Sequence, residues 1–261
     1  MIFRFTISLL LFFFQTSYSA IPTLESILND STTKGFPNYI SKGLIMNPHT
    51  SDSFSYEMTF NQRSTGLFLK VATKATESWL HMDTNFNVKS ATFNVQDEAL
   101  IKKINYTQRI ANRNGVNEVV FQFFSKDQKI REKGVYYTKN TLDTFSIIPV
   151  LQHLCAYEET AFTADFSVQH MATKVPVTIQ KIITKNLIPF VDGYTLPSQL
   201  EHHLKTTQKS YIIYVLNVKG WQGLIYNHRH YYVYSNSAPY TYVGHWGGSD
   251  KTNLFSWAIN P

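Results

Sequence analysis

The stretch LDTFSIIPVLQHLCAY, Leu142 to Tyr157, constrains the fold more than any other. It reads as a helix in a chain whose other apolar segments read as strands. Ile147, Val150, Leu151 and Leu154 follow the i, i+3, i+4, i+7 spacing of one helical face. Ile148, Leu151 and Cys155 make a second stripe beside it, and two adjacent stripes give an apolar surface too wide for a helix resting on an exterior. Ser146 as N-cap would put Pro149 in the first turn, where its missing N–H costs nothing. Capping by Asp143 would set Pro149 deeper. The helix is therefore expected near residues 146–157, in the interior.

The strands are expected to wrap it. Phe54, Tyr56, Met58 and Phe60 alternate with Ser55, Glu57 and Thr59, the pattern of a strand with one dry and one wet face. Further strand-like runs follow from Leu67 through Phe124, with Asn114-Gly115 as a hairpin signal. More appear at Phe166–Met171, Val175–Ile183, Ser210–Val218, Leu224–Tyr234, Tyr240–Trp246 and Leu254–Ile259. Short turns between successive strands imply antiparallel pairing, because parallel pairs need long crossovers. The predicted fold is mainly β: a curved antiparallel sheet, a half-barrel, around one central helix. No low-complexity linker divides it, so residues 50–261 form a single domain. Residues 20–49, broken by Gly35, Pro37 and Pro48, read as a loop-rich lead-in in which Thr23 caps a short helix, Leu24 to Leu28. Pro197 to Lys205 reads as another short helix.

Residues 1–19 read as a secretory leader. Arg4 supplies the positive end, Ile7 to Phe14 the apolar run, and Ser17-Tyr18-Ser19 small residues at the cleavage-defining positions. The run is too short to span a bilayer and no other stretch approaches that length, so the mature chain is expected to be exported with no transmembrane segment. Cys155 stands alone, which excludes an internal disulfide, and its place on the apolar helix favours burial. The formal charge of +6 is spread along the chain. Without a recognition helix or zinc finger it does not point to nucleic acid.

Motifs for chemistry are sparse. His228 and His230, two apart on a strand, would point the same way, and both imidazoles would reach one metal if His245, His202 or His203 completed the site. The plainer reading is an exposed polar strand face, and no metal is the expectation. No nucleophile elbow, phosphate loop or HExxH pattern is present. His153 and Cys155 are two apart on a helix and diverge. No cofactor and no catalytic residue is expected.

Three stretches carry a family likeness. SFSYEMTFNQRSTGLFLKVAT from Ser53, the helix LDTFSIIPVLQHL with Asp143, Ser146 and Leu151 at matching positions, and the hairpin Phe166 to Gln180 together resemble a family of exported bacterial proteins of uncharacterised function. That family is similar in fold to the periplasmic lipoprotein carriers. Pro149 and the Tyr- and His-rich tail after Ser210 depart from it. The resemblance implies a periplasmic half-barrel that holds an apolar ligand such as an acyl chain, and it brings no catalytic residues.

The functional expectation is a non-enzymatic periplasmic protein that binds or carries a lipid or acyl chain. Phe54, Tyr56, Met58, Phe60, Ile147, Leu151, Trp221 and Trp246 are the lining of its cavity, or else plain core. One alternative is a structural or interaction protein of the cell envelope with a solid core, a protein partner, and an exposed edge or aromatic patch as its working surface. The weaker alternative is a metal-dependent hydrolase built on His228 and His230.

Overall fold

Alternation in the sequence becomes alternation in space. The computed structural model describes residues 21–29, 32, 35–46, 53–74, 76–95, 106–113, 116–125, 128–136, 138–144, 146–168, 173–191, 198–220, 229–247 and 255–258. The expected leader, residues 1–19, lies outside the described residues, as do Trp221 and His228. Fifteen strands are described: β1 (Tyr39–Met46), β2 (Ser53–Arg63), β3 (Gly66–Thr73), β4 (Thr76–Met82), β5 (Val88–Val95), β6 (Tyr106–Arg113), β7 (Val116–Ser125), β8 (Gln128–Tyr136), β9 (Thr141–Leu142), β10 (Ala161–Val168), β11 (Thr173–Thr184), β12 (Tyr211–Val218), β13 (Arg229–Ser235), β14 (Tyr242–Gly247) and β15 (Phe255–Ala258). The α-helices are α1 (Leu24–Leu28), α2 (Ile147–Leu154) and α3 (Ser198–Thr206), with one 3-10 turn at Ile188–Phe190.

Twelve strands form one sheet in the order β5-β4-β3-β2-β1-β15-β14-β13-β12-β11-β10-β9, and β6-β7-β8 form a separate antiparallel three-stranded sheet. Every pairing in the large sheet is antiparallel except the short parallel contact of β9 with β10. The sheet is open and strongly curved. Met82, Phe86 and Val88 at one edge and Thr141 and Leu142 at the other line the same small cavity, with Leu24 and Leu28 of α1 between them. Thr23 caps α1 as expected, accepting from the Ser26 N–H at 3.2 Å, and the Pro22 carbonyl accepts from the Thr163 N–H at 2.9 Å.

The concave face carries one apolar core. Tyr56, Met58 and Phe60 of β2, Leu67 and Leu69 of β3, Val177 and Ile179 of β11, and Ile212, Tyr214 and Leu216 of β12 all close on Ile147, Val150, Leu151 and Leu154 of α2. Burying those four helical side chains contributes roughly 1.5–3 kcal/mol each before the entropy of ordering them. The interior helix and the curved sheet are both as the sequence predicts.

A second core lies on the convex face. Tyr211, Ile213 and Val215 of β12, Val233, Val243, Trp246 and Trp257 pack with Leu187, Val191 and Leu204 of α3. Strand β12 is therefore covered on both sides, and Tyr211 through Leu216 are all buried. That is why the run YIIYVL is continuous rather than alternating.

Two expectations are corrected here. The lead-in contains β1, which pairs with both β2 and β15 in the middle of the sheet. Ser41 and Gly43 fill its inward positions and break the apolar pattern that would have revealed it. Gly43 is required there, since a Cβ would meet the Trp257 carbonyl oxygen at 2.1 Å and the Tyr56 ring at 2.6 Å. The helix is also capped differently. Asp143, fully buried, accepts the Ser146 N–H at 2.7 Å, while the Ser146 hydroxyl accepts the Asp143 N–H at 3.0 Å. Ser146 stands at the N-cap position, as expected, but its hydroxyl bonds back to Asp143 rather than forward into the helix, so a reciprocal exchange like that of a capping box precedes Ile147.

Candidate functional site

Seating α2 against the sheet uses polar as well as apolar contacts. Gln152, buried on the helix, accepts the Tyr39 hydroxyl at 2.7 Å and donates to the Pro239 carbonyl at 3.2 Å. The Tyr39 hydroxyl in turn accepts the Tyr242 N–H at 3.3 Å. The Tyr234 hydroxyl donates to the Ile148 carbonyl at 2.8 Å. The helix thus touches β1, β13 and the β13–β14 hairpin at fixed points.

Its C-terminus is closed by Lys181, the inward residue that continues the row Val175, Val177, Ile179 on β11. The ammonium donates to the carbonyls of Leu154 at 3.4 Å, of Cys155 at 2.9 Å and of Tyr157. A cation at this helix end complements both the orphan carbonyls and the macrodipole. Burial lowers the Lys181 pKa, with Cys155 and Glu159 opposing it.

Cys155 and His153 diverge, as their spacing requires. The thiol donates to the Leu151 carbonyl at 3.3 Å, and burial pushes its pKa up to about 12. It is a packed, protonated thiol and not a nucleophile. His153 pairs with the Tyr157 hydroxyl at 3.0 Å and packs on Phe86, and burial pushes it down to about 4.

The described side chains of the interface pack against one another. Tyr56, Met58, Phe60, Ile147 and Leu151, expected on the dry face, are all buried there together. Phe54 shares their face but sits at the strand's end, 42% exposed. Trp246 lies on the opposite, convex face, where its indole N–H donates to the Phe190 carbonyl at 2.7 Å. A register shift between Val233 and Tyr234 sets Val233 against Gly244 and Tyr234 against Tyr242, and this bulge exchanges the faces along β14. The cavity at the rim, beneath Leu24 and Leu28, holds about 70 Å³. Ligand sites for drug-sized molecules run to roughly 300–1,000 Å³.

His230 does meet His245. Nδ1 of the first and Nε2 of the second are 3.3 Å apart, with the rings within 5° of parallel and their centres 5.6 Å apart. Nitrogens so close on rings so separated place the imidazoles end to end, each nitrogen aimed at the other. That is the geometry of an N–H···N hydrogen bond. An ion between them would need about 2.0–2.1 Å to each nitrogen, more room than this line provides, and a tetrahedral site would need the rings turned towards a common point. Among the described residues no group of three metal-ligating side chains exists. Tyr232 stacks on His245 at 4.3 Å, and burial and then His230 push His245 down to about 3.

Sequence reasoning passed over the outer face of β1–β4. There Lys42 pairs with Glu57 at 3.0 Å and Lys70 with Glu77 at 2.7 Å. Trp79, 42% exposed, donates its indole N–H to Glu77 at 2.6 Å and carries the Lys70 ammonium over its ring at 4.6 Å. One row away Phe68 stacks on His81 at 4.1 Å and takes the Arg63 guanidinium at 4.6 Å. Lys70 and then Trp79 hold the Glu77 carboxyl below its usual range. The signal was present: Glu77, Trp79 and His81 alternate with the buried Ser78, Leu80 and Met82.

No family model matches the chain, and no curated protein matches it. Among solved structures it is similar to a β-barrel-like protein of domain of unknown function DUF1849 from Brucella abortus. The TM-score is 0.50 and the identity 6%, over 86% of this chain and 96% of that one. At that identity the likeness is one of fold, a curved, mainly β architecture spanning nearly the whole of both chains. No described helix is long and apolar enough to cross a membrane.

Proposed function

We propose that the protein is an exported, non-enzymatic interaction protein of the cell envelope that engages a protein partner through the outer face of β1–β4. The packed interface between α2 and the sheet carries this reading: the described side chains of the concave side pack against one another, which leaves the surface to do the work. On that surface Trp79 and Ile40, 42% and 56% exposed, stand in one cross-strand row through Thr59 and Lys70. Trp79 is held by Glu77 and Lys70, so little side-chain freedom is lost when a partner covers it. Buried aromatic anchors of this kind dominate interface energetics. The test is capture from envelope extracts by the wild-type chain and by Trp79→Ala. A partner retained by the first and lost by the second is expected. Identical capture by both would sink the assignment of this face.

A second reading, an apolar ligand such as an acyl chain, is favoured by the position of the rim cavity. It opens beneath Leu24 and Leu28, where the two edges of the sheet approach each other. Mass spectrometry of the gently purified protein, with a fluorescent fatty acid titration, tests it. Co-purified lipid is its expected outcome, and neither lipid nor binding would remove it.

A further inference from the structure

Away from both surfaces, a groove of about 490 Å³ opens between the start of β12 and the β13–β14 hairpin. Its volume falls in the range of small-molecule sites, roughly 300–1,000 Å³. The hydroxyl residues Ser210, Ser235, Ser237 and Thr241 line it, together with Asn236 and Lys209. Pro239 supplies an exposed apolar ring at its edge, and Tyr211 and Val243 of the convex core form its floor.

The walls are tied before anything binds. The Asn236 backbone N–H donates to the Ser210 carbonyl at 3.1 Å, and its side-chain amide donates to the Ser210 hydroxyl at 3.0 Å. On the hairpin, the Thr241 hydroxyl donates to that of Ser235 at 3.2 Å, and Ser235 donates to the Ser237 carbonyl at 3.2 Å. Each hydroxyl has one donor and two acceptor positions, so the relay retains capacity for a ligand. Among the described residues no carboxylate lines the groove. Lys209 has no ion-pair partner among the described residues, whereas Lys205 nearby is bound to Glu201 at 2.5 Å.

We propose that this groove binds an acidic sugar. A pyranose matches the lining in three respects. Its ring has apolar C–H faces to lie against Pro239 and the groove floor. Its hydroxyls donate to Ser235 and Thr241, whose own protons are already engaged, and exchange with Ser210. Its carboxylate meets Lys209, the one charged residue among the described residues of the rim. A neutral sugar would leave that ammonium unused, and a bare oxyanion would leave the hydroxyl row and the apolar edge unused.

The experiment is isothermal titration of the full chain with glucuronate, glucose and inorganic phosphate, on the wild type, Lys209→Ala and Lys205→Ala. Both lysines are exposed, and circular dichroism confirms that each variant folds. Glucuronate is expected to bind the wild type and Lys205→Ala alike, and Lys209→Ala roughly tenfold or more weakly, the factor expected for one charge-assisted hydrogen bond. Glucose should bind weakly and be indifferent to Lys209. No glucuronate binding, or binding unchanged in Lys209→Ala, would overturn the site. Phosphate binding as tightly as glucuronate would overturn the sugar assignment, and glucose binding as tightly would overturn the role of the charge.

Discussion

The Asp143 carboxylate and the Ser146 hydroxyl cap each other's backbone, at 2.7 and 3.0 Å, inside a core from which both are sealed. The pair fixes where α2 begins and so which of its faces meets the sheet. Asp143→Ala removes one half of the exchange and leaves the Ser146 N–H buried without that acceptor. A loss of about 1–2 kcal/mol is expected. It should appear in urea unfolding as a lower midpoint at an unchanged slope. Ser146→Ala, which deletes only the reciprocal acceptor, should cost less.

Cys155 is expected to be inert until the protein unfolds. Its thiol is buried, hydrogen-bonded to Leu151, and held protonated by a pKa of about 12. A thiol reagent should therefore label it at the rate of global or local opening. Lys181 governs that opening by tying the carbonyls of Leu154 and Cys155. Lys181→Met takes the ammonium from the Cys155 carbonyl and leaves the Leu154 carbonyl only the Tyr157 N–H at 3.1 Å, so labelling should accelerate by roughly tenfold or more if opening becomes about 1.4 kcal/mol easier. Equal rates in the two proteins would show that Lys181 does not hold this helix end.

Acid should weaken the fold before the carboxylates titrate. His153 and His245 are pushed down, to about 4 and about 3, by burial, against about 6.5 in an unfolded chain. Between those values the unfolded chain takes up protons that the folded one refuses. Stability is therefore full above about pH 6.5 and falls as pH drops towards the folded pKa values. Each group contributes at most about 1.4 kcal/mol per pH unit, and less in practice, since both His153 and His245 are only partly buried. His153→Gln should flatten the slope between about pH 6.5 and 5 in thermal unfolding. An unaltered slope would mean that His153 is solvated in the native state.

How much of this was legible in the sequence depends on how many faces each element buries. Elements with one dry face could be read: α2 from its paired stripes, β2 from Tyr56, Met58 and Phe60, α1 from Thr23. Strand β12 was recognised as a strand, but its burial on both sides was not, because a continuous apolar run has no face to assign. The convex core was missed with it. Trp246 was placed only by the bulge after Val233, which leaves no mark in the residue pattern. Whether the concave core is hollow was beyond the sequence altogether, since Phe60 or Leu151 is equally apolar against a neighbour or a ligand. The outer face of β4 was readable from Glu77, Trp79 and His81. It was overlooked because the reading followed the dry side of each strand.

Strand β1 escaped notice because of Gly43, and the same residue supplies the sharpest test of the sheet order. At that position β1 lies between Tyr56 of β2 and Ala258 of β15. A methyl group there would come within 2.1 Å of the Trp257 carbonyl oxygen and 2.6 Å of the Tyr56 ring. The ring can turn, but the carbonyl belongs to a paired strand and can move only if the β1–β15 ladder opens. Gly43→Ala should therefore destabilise by about 2–4 kcal/mol, in the range of overpacked core substitutions. The same substitution at Gly35, where a Cβ would have nothing within 4 Å, meets only the strain of its φ of +82°. It should cost about 1–2 kcal/mol, the left-handed penalty. Chemical denaturation of the two variants side by side separates steric from conformational cost. If Gly43→Ala proved the milder of the two, β1 would not run between β2 and β15.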